Sequence, residues 1–353
     1  MTLETKRRKL SFVQISRAIA IIFVLLGHVN ILFHTKFNYD WFDMGQWERT
    51  GGVDFFFIVT GFMIFYLYHK QAGRPGKAKE FLLKRVIRIY PLYWMFTLLS
   101  IAVSLLLPSA GGSYPAELIF KSILILPPEP ILDSAWSLSH VVFFYLLFAA
   151  YIFRPKILKP LIAIWILATM LIGLKFVPFP EHSFIFSFSN LEIICGCVVA
   201  YLTLNFNFKY STLFVTAGLL GYLAVWLNNI YQIFHIHVPL FFCIFSMLLM
   251  LGIAEKDKKE RQTPKALSFL GDASYSIYIA HGPFLHLYIL LMVKFHVIGA
   301  LGYFLTMSAV IILTVLSCCL VYQLIEKPML KYLRKVVFTK VNRSIDMPLI
   351  MGK

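Results

Sequence analysis

The segment SRAIAIIFVLLGHVNILF sets a cation, Arg17, and an imidazole, His28, in a run otherwise suited to hydrocarbon. At about 100° per residue the intervening steps turn a helix three times plus roughly 20°, so both side chains occupy one face, about 16 Å apart along the axis. A neutral imidazole, with an ordinary pKa of about 6.5, suits removal of a proton from a hydroxyl near neutral pH. An ionic side chain at mid-membrane costs about 2.5–3.5 kcal/mol on insertion scales and is retained where it faces a partner or a cavity. Taken singly, Arg17 would snorkel to the headgroups and His28 would be a packing residue. Their shared face points instead to one crevice that meets both.

The elements that must position this pair are membrane helices. Hydrophobic residues make up 59% of the 353 and charged ones 14%, outside the range of soluble domains. Runs long enough to cross a roughly 30 Å core, about 20 residues each, fall at 12–33, 52–69, 86–107, 136–153, 158–176, 184–204, 212–228, 237–254, 268–293 and 300–325. The fold class expected is an all-α, polytopic integral membrane protein of about ten transmembrane helices. Its domain, 12–326, lies between a tail at 1–11 and a basic tail at 327–353. The charged start MTLETKRRKL resembles a signal peptide, yet the apolar run after it is too long and lacks a small-residue cleavage site, so it is expected to stay attached.

Of 33 Lys and Arg, 27 fall on one side of this ten-span arrangement. The other side holds only Lys36, Arg49, Lys121, Lys175 and Lys294, and Arg17 lies within a span. Such asymmetry puts both termini in the cytoplasm and explains the net charge of +16 by an anionic leaflet, with no nucleic-acid partner. KDKKERQTPK at 256–265 reads as a solvated loop. Cys195, Cys197, Cys243, Cys318 and Cys319 lie in apolar runs and read as small core residues, without disulfide or zinc spacing. The pair in HIHVP lacks a third ligand, so no metal is expected.

Several motifs in order resemble one family. They are the Arg17/His28 spacing, DFFFIVTGFMI at 54–64, KRVIRIYPLYW at 84–94, AWSLSHVVFFYLLFA at 135–149, FLGDASYSIYIAHGP at 269–283 and IEKP at 325–328. Together they are similar to the acyltransferase-3 family of membrane-bound acyltransferases, and most to its bacterial exopolysaccharide and O-antigen O-acetyltransferase members. The resemblance implies transfer of an acetyl or other short acyl group from cytoplasmic acetyl-CoA, a co-substrate rather than a bound cofactor, to a hydroxyl of a glycan or lipid-linked saccharide. It also implies residence in a bacterial inner membrane, a catalytic role for His28 and a partner role for Arg17. Two departures stand out: Thr60 where relatives often carry Ser, and His140 where a Glu usually follows the WSL motif.

Within that chemistry, Asp54, near the level of His28, would orient the imidazole or serve as a helix-start acid. Arg85 and Arg88 share a helix face and would fork phosphate oxygens of the donor, with Arg17 extending the positive path; as plain flank residues they would instead obey charge sidedness. YPLYW offers aromatic-belt anchors and Pro91 a bend. Trp136 and His140, four apart, would stack on and hydrogen-bond a sugar. Glu192 in an apolar helix requires a partner or a cavity. Asp272 resembles a helix start, while Tyr275 and His281 project into the ninth span, His281 preceding Gly-Pro. The competing functions are a transporter or glycan-export protein lined by Arg17, His28, Asp54 and Glu192, and a catalytically silent scaffold.

The charge asymmetry makes a topological prediction. A cysteine at Asn38 is expected to react with an impermeant thiol reagent added to intact cells, and one at Lys258 is not; the reverse labelling overturns the orientation.

Overall fold

The computed structural model describes residues 11–106, 114–127, 130–173, 176–178, 183–258 and 264–346, with side chains to residue 338. Within them the chain is helical and contains no strand. The helices are α1 (Ser11–Phe37), α2 (Gly52–Tyr68), α3 (Pro75–Leu106), α4 (Ala116–Leu124), α5 (Trp136–Phe153), α6 (Pro155–Gly173), α7 (Phe188–Asn205), α8 (Ser211–Tyr231), α9 (Val238–Asp257), α10 (Lys265–Lys294), α11 (Val297–Val321) and α12 (Lys327–Asp346). Ten stretches are long and apolar enough to cross a membrane, α11 and α12 counting as one. This is a multi-pass integral membrane protein.

A spanning segment without water must satisfy its backbone internally, which is why apolar runs of this length become helices. Their outward faces carry large exposed apolar side chains such as Leu161, Ile164 and Leu167 of α6, whose only buried residue is Thr169. The inner faces of α1, α3, α5 and α10 meet in a core that includes Ile21, Ile89, Leu138 and Ile277.

The two ends of the bundle are each tied together by polar groups. At one end the Asp257 carboxylate accepts the backbone N–H groups of Phe12 (2.8 Å) and Val13 (3.0 Å), capping the start of α1 from the end of α9. Asp257 was expected in a solvated loop; it is buried, because α9 runs past the predicted end at 254. At the other end, Tyr222 and Trp226 of α8 donate to the carbonyls of Gly51 (3.0 Å) and Thr50 (3.0 Å), just before α2.

Other boundaries differ for local reasons. α3 begins at Pro75, a residue that suits a first helical turn, and continues through Pro91. Asp272 starts no helix: α10 begins at Lys265 after Pro264, and Gly271 just before Asp272 is where α10 meets the α1 backbone. A Cβ at Gly271 would fall 2.0 Å from the Gln14 carbonyl oxygen. The aromatics of YPLYW hold α4: Tyr93, Trp94 and Tyr90 donate to its Ser122 (2.7 Å), Ile123 (2.9 Å) and Leu124 (3.4 Å) carbonyls. The expected tail at 327–353 is helical as far as Asp346 and continues from α11 through a π-helical turn, Tyr322–Glu326.

α2 and α7 approach through paired glycines. A Cβ at Gly61 would lie 1.8 Å from the Ile193 carbonyl oxygen, and one at Gly196 would lie 2.1 Å from that of Ile58. Small residues permit such contact between membrane helices. Gly61→Ala and Gly196→Ala are each predicted to destabilise the full chain by about 1–3 kcal/mol, the usual cost of overpacking. Gly76→Ala, with open space around it, serves as the control. Thermal unfolding in detergent checks this, and unchanged midpoints for both core variants would contradict the close crossing.

Candidate active site

A cavity of about 200 Å³ lies among α1, α2, α3, α5 and α10. Arg17, Arg85 and Arg88 all line it, together with Thr60, Ser137, Ser274, Tyr275 and Tyr278 and an apolar wall that includes Phe57 and Leu138. Each guanidinium is held differently. Arg17 donates to Gln14 (3.2 Å) and across to Ser274 of α10 (2.8 Å). Arg85 donates to the Tyr68 hydroxyl (2.7 Å) and stands over the rings of Tyr68, Phe81 and Tyr145, 5.1–5.7 Å from their centroids; its Nε is buried without an acceptor. Arg88 lies 5.1 Å over Tyr275 and pairs with Glu326, which is fully buried and also accepts from Ser276. Three aromatic faces and one hydroxyl leave much of the Arg85 fork unused, and such donors match phosphate oxygens.

The π-helical turn at Tyr322–Glu326 shifts the register of the last span and brings the Glu326 carboxylate to Arg88. Glu326 belongs to the IEKP motif, yet its pairing with Arg88 was not anticipated. The available signal was a carboxylate at the apolar end of a span, which needs a buried cation.

The single crevice expected to meet both Arg17 and His28 is not what the structure brings together: Arg17 lines the cavity and His28 does not. Further along α1, its ring lies 4.8 Å from that of His281, and its Nε2 is buried without a hydrogen-bond partner. His281 is fully buried, and its Nδ1 lies 2.9 Å from the Ile277 carbonyl, which makes that nitrogen the protonated one. Tyr278 lines the cavity and also packs on His281, with ring centroids 6.4 Å apart. Its hydroxyl is held by Ser137 (2.6 Å) and the Ser134 carbonyl.

Asp54 and Glu192 meet each other's cation rather than His28. Arg49, counted from sequence among loop charges, reaches inward with only 22% of its side chain exposed. Its guanidinium lies 3.0 Å from Asp54 and 3.7 Å from Glu192, both fully buried, and 6.0 Å from the Trp136 ring. Asp54 Oδ2 and both Glu192 oxygens accept from no other protein group among the described residues, and the two carboxyl groups are within hydrogen-bonding reach of each other. The proposed orientation of His28 by Asp54 is thus not what the structure brings together; α1 and α2 are neighbours, but Arg49 takes the carboxylate. His140 is buried beside this group, its Nδ1 on Asn190 Oδ1 (2.9 Å) and its ring stacked on Phe184 (4.5 Å). Asn190 spends its amide N–H groups on the Phe184 and Ile185 carbonyls. Nδ1 and one ring face of His140 are therefore engaged within the protein, and Phe57 and Trp136 also pack on the ring, at 5.9 and 6.0 Å. Among the described residues no group of three His, Cys, Asp or Glu is placed to hold a metal ion.

The chain matches the family model described as an acyltransferase domain over residues 10–323. It is 26% identical over 320 residues to the exopolysaccharide production protein ExoZ of Rhizobium meliloti, covering 80% of this chain and 93% of that one. It is 23% identical over 317 residues to the peptidoglycan O-acetyltransferase OatA of Listeria monocytogenes, covering 77% of this chain and 48% of that larger protein. No solved structure matches.

Arg49→Met is predicted to cost about 3–5 kcal/mol of stability, because it strands two buried carboxylates, whereas Arg49→Lys retains a cation and costs less. Glu192→Gln in the Arg49→Met background should recover part of the loss. Unfolding of the detergent-purified variants checks this, and no loss in Arg49→Met would show that the three groups are not coupled.

Proposed function

We propose, from the premise that the chain belongs to the acyltransferase-3 family, that it moves an acetyl or other short acyl group from acyl-CoA to a hydroxyl of a surface or exported glycan. The observation that carries this reading is the convergence of Arg17, Arg85 and Arg88 on one cavity while His28 occupies the same helix as Arg17. The chain would lie in a bacterial inner membrane with the arginine end facing the cytoplasm, where acyl-CoA is found.

CoA presents a pyrophosphate and a ribose phosphate, and the guanidinium forks of Arg85 and Arg88 are suited to them. Arg17 extends the positive lining along α1, and the acyl thioester points past Tyr278 toward His28. The unpartnered Nε2 of His28 acts as base: it takes the proton of the sugar hydroxyl as the oxygen attacks the thioester carbonyl. The tetrahedral adduct collapses, the C–S bond breaks, and the imidazolium returns the proton to the departing thiolate. Ester and free thiol are the products, and the catalyst is regenerated. Burial of the site keeps water from hydrolysing the thioester. Trp136, His140, Glu192, Tyr275 and His281 support the acceptor side or the framework around it.

General-base catalysis typically contributes 10²–10⁴-fold, so His28→Ala and His28→Asn are both expected to lose about that factor in acetate transferred per inserted protein. Asn keeps hydrogen-bonding groups and cannot take a proton at neutral pH. Near-normal transfer by the Asn variant would remove His28 from the base role. In the same assay Arg88→Lys should raise the KM for acetyl-CoA, since Lys keeps the charge and loses the fork.

A further inference from the structure

A second pocket, of about 280 Å³, opens where the α1–α2 connection meets the turn between α8 and α9. Gln46, Trp47 and Glu48 form one wall; Asn229, Gln232 and His235 belong to the other. Its composition differs from that of the first cavity: amides, one carboxylate, an indole and the His235 imidazole beside apolar Phe234, Ile236 and Val238, with no Lys or Arg in the lining. Two donors within the wall, the Nδ2 of Asn229 and the Nε1 of Trp47, are buried without acceptors. Both residues are more than nine-tenths buried. Buried donors left unpaired in this way call for an explanation.

The walls are also built to keep their shape. Asn228 closes the turn twice, donating to the Phe234 carbonyl (3.0 Å) and accepting from its N–H (2.8 Å). Gln232 adopts φ of +50°, costly for a residue with a Cβ, and donates to the Asn229 carbonyl (2.8 Å). On the facing side, the connection is fastened to α1 on both sides of His28. Thr50 donates to the Phe23 carbonyl (3.1 Å), and Asn30 accepts from Trp41 N–H (2.6 Å). The pocket is therefore fixed at the level of His28, away from the arginine-lined cavity.

From these observations we infer that this pocket binds a neutral, hydroxyl-rich sugar unit of the acceptor glycan. A hydroxyl oxygen accepts from Asn229 and Trp47 while its proton goes to Glu48 or to an amide oxygen, so a polyol answers both halves of the lining. Anions such as the phosphates of CoA find no Lys or Arg in the lining and meet Glu48 instead, whose neighbour Arg49, 3.9 Å away, is turned toward Asp54. The volume, near the lower limit of about 300 Å³ for small-ligand sites, suits a single sugar unit rather than a longer chain. The inference rests on the acyltransferase reading, and it adds a glycan-holding site remote from the donor.

The probe is the neutral fraction of short oligosaccharides released from the surface polysaccharide of cells that carry the gene, stripped of ester groups by alkali. Binding to the full chain in detergent is measured directly, and acetate transfer from acetyl-CoA to the same oligosaccharides is measured in parallel. Each hydrogen-bonding residue removed should weaken binding about 3–10-fold. Asn229→Leu and Glu48→Ala are therefore expected to bind that much more weakly, with KM for the oligosaccharide rising more than kcat falls. Glu48 is 64% exposed at its side chain, so its replacement does not threaten folding. Oligosaccharides oxidised at their primary hydroxyls to carboxylates should bind less well than the neutral parents. Wild-type affinity in both variants, tighter binding of the oxidised forms, or no binding by the wild type each overturns the pocket assignment, whatever the transfer assay shows. Binding that the variants weaken, without acetate transfer by the wild type, leaves the pocket standing and removes the acyltransferase reading.

Discussion

A guanidinium inside an apolar bundle must find its partners within the protein, and this requirement organises the chain around α10. Arg17 of α1 is answered by Ser274, Arg88 of α3 by Glu326, and Glu326 in turn by Ser276. Tyr275 lies beneath Arg88, Tyr278 closes the cavity wall, and His281 meets His28. One helix thus supplies a contact for Arg17, for Arg88 with Glu326, and for His28, while Arg85 is held by Tyr68 of α2 and the rings of Phe81 and Tyr145. The π-helical turn at Tyr322–Glu326 is the local distortion that makes the buried pair with Arg88 geometrically possible.

Close helix approach is the second condition. Gly271 lets α10 rest on the α1 backbone at Gln14, and the same two helices bring the imidazoles of His28 and His281 to 4.8 Å. Gly61 and Gly196 do the same for α2 and α7, which carry Asp54 and Glu192 to one guanidinium. Small residues at crossings and ionic residues one or two turns away act together: the first removes the space that the second would otherwise need to reach across. Where approach is loose, as for α6, the helix buries little and carries none of the site residues.

The two ends of the molecule differ chemically. Toward the start of α1 the cavity is cationic and aromatic, with three guanidinium groups around one space. Toward the start of α2 the lining is largely amide and carboxylate, and the inward-reaching cation, Arg49, is paired with two buried acids. α1 passes from one end to the other and carries both Arg17 and His28, so a single rigid element sets the spacing between the two environments.

Composition and run length by themselves determined the all-helical class and ten spans, because hydrocarbon admits no other use for such runs. Helical periodicity likewise put Arg17 with His28, and Arg85 with Arg88, on common faces, since spacing within one helix is local geometry. What sequence left open was which helices face each other. The path of Arg49 from a loop into the bundle, the capture of Asp54 away from His28, the capping of α1 by Asp257 and the pairing of Arg88 with Glu326 join residues far apart in the chain. Only tertiary structure decides these, because a charge in a low-dielectric interior is held by whichever counter-charge the packing brings within reach, and sequence order carries no record of that distance.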